Sequence, residues 1–529
     1  MKKYTADFET CVWLEDETFV WAWAVCEIGN PDNIIIGNNI ETFFEFVEKQ
    51  KNAQFYFHNL KFDGEFILNY LLKYNFKFVD DKKKYKDKTF STIISDMGMF
   101  YNIEVIFKKF SKTYRKASFF DSLKIIPFSV SEIAKSFNLP ISKLEIDYMK
   151  PRPKNPTLTK EEIEYIKNDV KIVAMALEVL FEKGLTKMTS ASNAIHDYKK
   201  ILGKFRFQHF FPELDFDVDS DIRQSYKGGF TYLNPLYKEK DVENGITLDV
   251  NSLYPSVMYE KELPFGEPVF FKGKYKEDKT YPLYIQRLTC SFELKKNKIP
   301  TIQIKHDRFN FLSNEYLTSS NHQIVALTLT SIDLKLFFEQ YNVYDLNFES
   351  GWKFKSIKGL FKDYIDKWIK EKNEGTIEKN KGKRTRAKLM LNSLYGKFAK
   401  SMVMCSKEPY IVDDIVYYDM QDEKQVKGLY IPVATFITAY AREKTIRTSQ
   451  AITDYSIKKY GIDKYIYSDT DSISTTLSID EVKQFCEIDD VELGKWAWEN
   501  SFEKAKFIRQ KCYLKRINGN VEITCARNA

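Results

Sequence analysis

Ile246-Thr247-Leu248-Asp249-Val250-Asn251-Ser252-Leu253-Tyr254-Pro255 changes character halfway along. Its first half is a β-branched and aliphatic run that reads as a buried strand with a carboxylate near its end, and its second half turns into a helix. Far downstream, Tyr467-Ser468-Asp469-Thr470-Asp471-Ser472 sets two acids either side of one residue in a stretch, 464–475, that reads as strand and hairpin. Between the two lies Lys388-Leu389-Met390-Leu391-Asn392-Ser393-Leu394-Tyr395-Gly396. On a helix, Lys388, Asn392 and Tyr395 fall on one face. Taken singly, Asp-x-Asp is common in surface turns, and the 388–396 stretch is an ordinary amphipathic helix.

A second set of acids lies near the N-terminus. In Asp7-Phe8-Glu9 the carboxylates are two apart on a strand and share a face. Like charges that close raise one another's pKa unless a cation lies between them. Asn59-Leu60-Lys61-Phe62-Asp63-Gly64 follows, and then a helix over 160–183 that is capped by Thr159 and Glu162 and stopped by Gly184. Tyr165 and Asp169 share one face of that helix. An acidic pair alone reads as an exposed strand edge, and Tyr165 with Asp169 alone as a surface hydrogen bond.

Composition narrows the class. Of 529 residues, 43% are hydrophobic and 16% aromatic, enough for more than one core. Lys and Arg number 81 against 74 Asp and Glu, and the net +7 permits a phosphate-binding surface without demanding one. Seven cysteines (11, 26, 290, 405, 486, 512, 525) form no CxxC pair, and with five histidines a zinc site is not expected. Their scatter points to a reducing cytosol. The Met1-Lys2-Lys3-Tyr4 start shows no signal-peptide core, and the longest apolar stretch, Phe19 to Cys26, cannot span a bilayer. Strands are expected at 4–10, 19–26, 54–57, 117–121, 246–250 and 282–294. Helices are expected at 40–51, 64–74, 359–374, 385–400 and 431–453, with a domain boundary near 190 in Thr189-Ser190-Ala191-Ser192. Two charge runs, 80–88 and 379–388, read on their own as solvated faces.

The three N-terminal segments, in this order, resemble the exonuclease motifs of proofreading DNA polymerases. The later three, Asp-x-x-Ser-Leu-Tyr-Pro, Lys-x-x-x-Asn-Ser-x-Tyr-Gly and Tyr-x-Asp-Thr-Asp-Ser, resemble family B DNA polymerases. The likeness to the protein-primed, phi-twenty-nine phage type runs nearly end to end, with verbatim stretches such as Tyr56 to Gly64 and Leu389 to Ala399. It implies an α/β plus α+β architecture: a ribonuclease-H-like 3′→5′ exonuclease domain over 1–190, then a right-hand polymerase domain over 191–529. Within the latter the palm would take 191–260, 396–402 and 429–529, and the fingers 359–395. Two insertions, 261–358 and 403–428, would serve terminal-protein docking, strand displacement and processivity. The match stops near Cys525-Ala526, where the family continues into a thumb, so a thumb-less chain is expected.

The same resemblance assigns roles. Asp7, Glu9, Asp63 and Asp169 would hold two Mg²⁺ or Mn²⁺ ions, with Glu145 standing at a further family acid. Tyr165 would orient the attacking water and Lys143 would assist. Thr10, His58, Asn59, Phe62, Ser122 and Leu123 would hold the frayed strand, where a ring such as Phe62 gives an unpaired base something to stack on. Asp249, Asp469, Asp471 and the Val250 carbonyl would bind the polymerase ions, two per site. There they would activate the primer 3′-hydroxyl and hold the triphosphate. Tyr254, Lys372, Lys388, Asn392 and Tyr395 would contact the nucleotide. The Tyr226-Lys227-Gly228-Gly229 linker, Ser252, Thr438 with Arg442, and Lys511 with Tyr513 would contact DNA. The implied partners are primer-template and single-stranded DNA, deoxynucleoside triphosphates and a terminal protein. The chain would act as a monomer in the cytoplasm of an infected bacterium. Two rival readings are a nuclease whose polymerase half has decayed and a non-catalytic nucleic-acid- or terminal-protein-binding remnant.

Overall fold

The computed structural model describes residues 1–304 and 315–525, which fall into two compact units. The first comprises residues 1–198, 367–394 and 401–427; the second, 199–366, 395–400 and 428 onward.

The first unit is built on an eight-stranded sheet. In spatial order its strands are Asn30–Gly37, Val20–Glu27, Lys3–Thr10, Ala53–Phe57, Tyr114–Asp121, Phe100–Lys109, Thr89–Ile94 and Lys77–Phe78. Strand alternation explains its two faces. Tyr4, Ala6 and Phe8 point into a phenylalanine-rich core with Phe43, Phe55, Phe57 and Phe119. Thr5 points the other way, and its hydroxyl donates to the Val170 carbonyl of the helix Lys160–Phe181 at 2.7 Å. That helix carries the expected reciprocal cap between Thr159 and Glu162. Asp7 and Glu9, in step with Thr5, therefore lie on the helix side of the sheet. The Thr189-Ser190-Ala191-Ser192 stretch is a helix start instead of a linker. Thr189 Oγ1 accepts from Ser192 N at 3.0 Å, and the helix Ser190–Leu202 follows without a break, so the unit runs on to Tyr198. The hairpin Lys407–Val412/Ile415–Met420 belongs to this unit too, tied down by Tyr418, whose hydroxyl donates to Glu65 at 2.6 Å.

The second unit centres on a seven-stranded sheet ordered Asn520–Cys525, Cys512–Ile517, Trp496–Arg509, Asp241–Val250, Ser472–Thr475, Tyr465–Asp469 and Thr231–Leu233. The 30-residue helix Ile431–Tyr460 packs on this sheet and is buried along most of its first five turns, longer than the apolar pattern over 431–453 suggested. A separate four-stranded sheet, Glu262–Lys272, Tyr341–Lys358, Leu283–Leu294 and Val325–Thr330, occupies the 261–358 region. Among the described residues no helix is long and apolar enough to cross a membrane.

Candidate functional site

In the first unit, Asp7, Glu9, Asp63, Lys143, Tyr165 and Asp169 line one cavity of about 290 Å³, together with Thr10, His58, Asn59 and Phe62. Three elements supply the acids: the central strand, the helix Leu60–Lys73 and the helix Lys160–Phe181. Asn59 takes a left-handed conformation (φ 77°) that swings the second helix inward, and Asp63 Oδ1 accepts from Phe8 N at 3.2 Å. Burial and the Asp169 charge push Asp7 up to about 7. Burial and Asp7 likewise push Glu9 and Asp63 well above the usual carboxylate range. Lys143 Nζ donates to Asp169 Oδ2 at 2.7 Å, while Asp169 Oδ1 is buried without a hydrogen-bond partner.

Crowded, buried, all-oxygen donors suit a hard divalent cation, which would relieve both the repulsion and the orphaned Oδ1. Among the described residues, however, no three His, Cys, Asp or Glu side chains are already gathered as a cation cage. The donors share a cavity, and the Lys143 ammonium rests on one of them.

Other expected contacts sort differently. Phe62 is half exposed at the cavity wall, as a stacking ring needs to be. Thr10 is buried and its carbonyl accepts from Trp21 Nε1. Ser122 is fully buried, donating to the Phe57 carbonyl and meeting His58 Nδ1 at 3.0 Å. His58 Nε2 faces the Phe128 carbonyl at 2.7 Å, and burial lowers the ring's pKa. Asp121 accepts from both Asn59 N and Leu123 N. Ser122, with Asp121, thus shapes the cavity from behind, and neither Ser122 nor Leu123 lines it. Glu145 also stands apart. Leu144 and Ile146 pack against the Trp21 core, and Glu145 between them is exposed and lines a neighbouring cavity with Asp147, Glu161 and Glu164. Tyr148, which no motif flagged, lines the main cavity and lies 2.7 Å from Tyr165, hydroxyl to hydroxyl.

On the part of the helix Lys381–Phe398 that lies in this unit, Lys388 and Asn392 are exposed on one face with Arg384. Lys372 is half buried, its pKa lowered by burial and by Lys388 and Arg384. The basic run 379–388 is only partly a free surface. Arg386 is buried against Glu371 and the Val179 carbonyl, and Lys383 pairs with Glu374 and Glu378.

In the second unit, Asp249 pairs in register with Ser472, and Val250 N donates to the Asp471 carbonyl at 2.8 Å. The Asp469–Asp471 turn is held by Thr470 at φ 59°. Its N donates to Phe230 O and its carbonyl accepts from Thr445, both at 2.7 Å. Gly229 is obligatory beside it, because a Cβ there would lie 2.5 Å from Thr470 Oγ1. Burial and Asp469 raise the Asp471 carboxyl. Asp469 accepts from Thr231 at 3.1 Å and meets Lys511 Nζ at 3.4 Å. Lys511 N donates to Tyr467, whose ring lies 5.5 Å from that of Tyr513. Ser252, at φ 54°, opens the helix Leu253–Glu260, and from it Tyr254 stacks on Tyr395 at 3.9 Å.

Thr438 and Arg442 are enclosed by protein. Both are buried in the long helix; Thr438 returns its hydroxyl to the Ala434 carbonyl, and Arg442 is saturated by protein partners, including the Lys227 and Gly228 carbonyls. Arg442 thereby holds the 226–229 segment, while the Thr438 hydroxyl stays within its own helix. Sequence patterns also missed Lys515, buried beneath the sheet with its ammonium donating to Thr247 at 2.8 Å and Ser474 at 3.2 Å.

A strand-borne acid facing a two-acid turn, with a separate carboxylate-lined cavity in another unit, defines the class. Residues 46–154 and 145–485 match the family "DNA polymerase type B, organellar and viral", and the chain belongs to it as a DNA-directed DNA polymerase. It is similar to the DNA polymerase of Bacillus phage Nf, with 45% identity over 521 residues, spanning 98% of this chain and 87% of that protein. It is also similar to the solved phi29 DNA polymerase complexed with single-stranded DNA, at 40% identity and a TM-score of 0.90, covering 100% of this chain and 92% of that one. The same polymerase with primer-template DNA and incoming nucleotide substrates gives a TM-score of 0.89 at 40% identity over the same shares.

Proposed function

We propose that this polymerase also proofreads, removing 3′-terminal nucleotides in the cavity of the first unit. The observation that carries the reading is the convergence of Asp7, Glu9, Asp63, Asp169, Lys143 and Tyr165 on that one space. Asp7, Glu9, Asp63 and Asp169 would hold divalent cations there, and Asp249, Asp469, Asp471 and the Val250 carbonyl would hold them in the second unit. When bound, such ions supply charge neutralisation and lower the pKa of a coordinated oxygen. The chain's own groups do the rest. Lys143 compensates Asp169, Tyr165 presents its hydroxyl to the cavity, and Phe62 offers a ring to an unpaired base. In the second unit the stacked Tyr254 and Tyr395 would meet an incoming sugar and base; in the first, Lys372, Lys388 and Asn392 are the proposed nucleotide contacts. Lys511, Tyr513, Ser252 and the Tyr226–Gly229 segment would hold primer and template.

Likeness to phage polymerases bound to single-stranded DNA, primer-template and nucleotides supports these same partners here. It also favours protein-primed, strand-displacing replication of a linear phage genome inside an infected bacterium. A terminal protein would dock on the 261–358 and 403–428 regions. Incubating the chain with Mg²⁺, four deoxynucleotides and a 5′-labelled primer-template tests the reading. Extension is expected with nucleotides present, and stepwise shortening of the primer without them. Extension with no shortening on a mispaired 3′ end would refute the proofreading assignment.

A further inference from the structure

Most cysteines of this chain are chemically quiet. Cys11, Cys26 and Cys290 are buried, and burial pushes Cys26 up to about 12 and Cys290 and Cys486 up to about 11. Cys512 and Cys525 differ. They sit directly opposite one another on the hairpin Cys512–Ile517/Asn520–Cys525, with Sγ atoms 3.5 Å apart and no disulfide between them. The connecting Asn518 and Gly519 have φ of 50° and 77°, the two-residue turn that fits hairpin twist. Such a turn makes Ile517 and Asn520 the hydrogen-bonded closing pair, and pair type alternates outward along the ladder. Cys512 and Cys525 are therefore a non-hydrogen-bonded pair. That kind holds Cα atoms about 4.5 Å apart, inside the range a disulfide spans without moving the backbone. Cys525 is exposed and Cys512 partly so, both open to a small disulfide; the contact with Cys525 raises the Cys512 thiol, and the charge of Arg509, opposite it in the ladder, works the other way.

We propose that Cys512 and Cys525 form a redox modification site, a cross-strand dithiol that small-molecule disulfides close into an intramolecular disulfide. One thiolate attacks the small disulfide, forming a mixed disulfide and releasing one small thiol. The opposite thiolate then attacks the protein sulfur of that mixed disulfide and releases the second small thiol. Two protein thiols are oxidised, one small disulfide is reduced to two thiols, and the protein protons leave with them. The closed form staples together the strands that follow Lys511 and carry Tyr513.

The test is incubation of the full chain with oxidised glutathione, alkylation of remaining thiols, and peptide mapping without reductant. A Cys512–Cys525 linked peptide is expected with no retained glutathione, and amide exchange across 512–525 should slow about tenfold and recover on reduction. Cys512→Ser and Cys525→Ser should each keep one glutathione on the partner cysteine. Glutathione retained on both cysteines of the unsubstituted chain, full alkylation of both, or a link from either to Cys405 or Cys486 would overturn the proposal.

Discussion

Arg442 and Asp333 form a bidentate buried pair, Nε to Oδ1 at 3.1 Å and Nη2 to Oδ2 at 2.7 Å, while Arg442 Nη1 donates to the Lys227 and Gly228 carbonyls at 2.8 Å. Asp333 is largely enclosed, and although that burial works the other way, Arg442 holds its carboxyl below the usual range. The pair joins the start of the helix Ser331–Gln340 to the 226–229 segment, which abuts Thr470 between the paired acids. Removing one partner of a buried pair strands the other charge, at about 3–5 kcal/mol. We predict that Arg442→Ala lowers the unfolding free energy by that amount and slows primer extension. Arg442→Lys should recover only part of both, because an ammonium cannot reproduce the planar fork. Wild-type stability and extension in Arg442→Ala would show the pair to be incidental.

Asp249→Asn and Asp471→Asn are each expected to cut nucleotide addition by about a thousandfold, the scale of losing an ion clamp. Digestion of single strands should persist, because those acids lie in a different unit from the cavity lined by Asp7 and Glu9. Parallel gel assays of extension and digestion check both halves.

The converse double substitution, Asp7→Ala with Glu9→Ala, should abolish digestion and leave extension near the wild-type rate. It also removes two carboxyls that burial and mutual charge hold above their ordinary pKa, so the folded chain should become more stable near neutral pH, not less. Loss of folding in this variant would mean that the acids serve the core.

Tyr254 stacks on Tyr395 close behind the strand that bears Asp249. A ring in that place would exclude a 2′-hydroxyl by contact, which is selection by repulsion. Tyr254→Val is expected to raise ribonucleotide incorporation relative to deoxynucleotide. An unchanged ratio in direct competition would remove Tyr254 from this role.

Lys515 gives a pH dependence with a definite sign. Burial lowers its pKa to about 8, against 10.5 for a free lysine. Between those values the unfolded chain binds a proton that the folded chain does not, so this residue makes stability rise as pH climbs from about 8 to 10.5. Below about 8 the residue carries its full cost, on the order of 3 kcal/mol. Lys515→Met should therefore stabilise the protein at pH 7 and flatten that rise. Thr247 and Ser474, 3.5 Å apart, remain able to satisfy each other. Urea titrations at pH 7 and pH 10 provide the check.

The paired acids were legible because their spacing on strands and helices fixes their direction: Asp7 and Glu9 by period two, Tyr165 and Asp169 by one helical turn. What escaped depends on contacts between distant segments. Nothing local to Glu145 says that Leu144 and Ile146 take the core and leave it outside. Arg442 looks like any basic residue until Asp333, far away in sequence, encloses it. The stretch near 190 reads as a linker because Thr and Ser serve helix caps as well as linkers, and here they cap. The strand Tyr341–Lys358 is too polar and too long for a period-two search to mark as one element.

The first unit draws on three separated stretches of chain, the last ending at residue 427. During synthesis, residues 1–198 leave the ribosome long before the hairpin that covers Glu65 exists, by roughly ten to forty-five seconds at ordinary elongation rates. The nascent first unit must therefore wait half-built, with the surface later met by Tyr418 open to chaperones and proteases. An isolated 1–198 fragment should inherit that vulnerability permanently, and supplying residues 401–427 as a separate peptide is the natural way to rescue it.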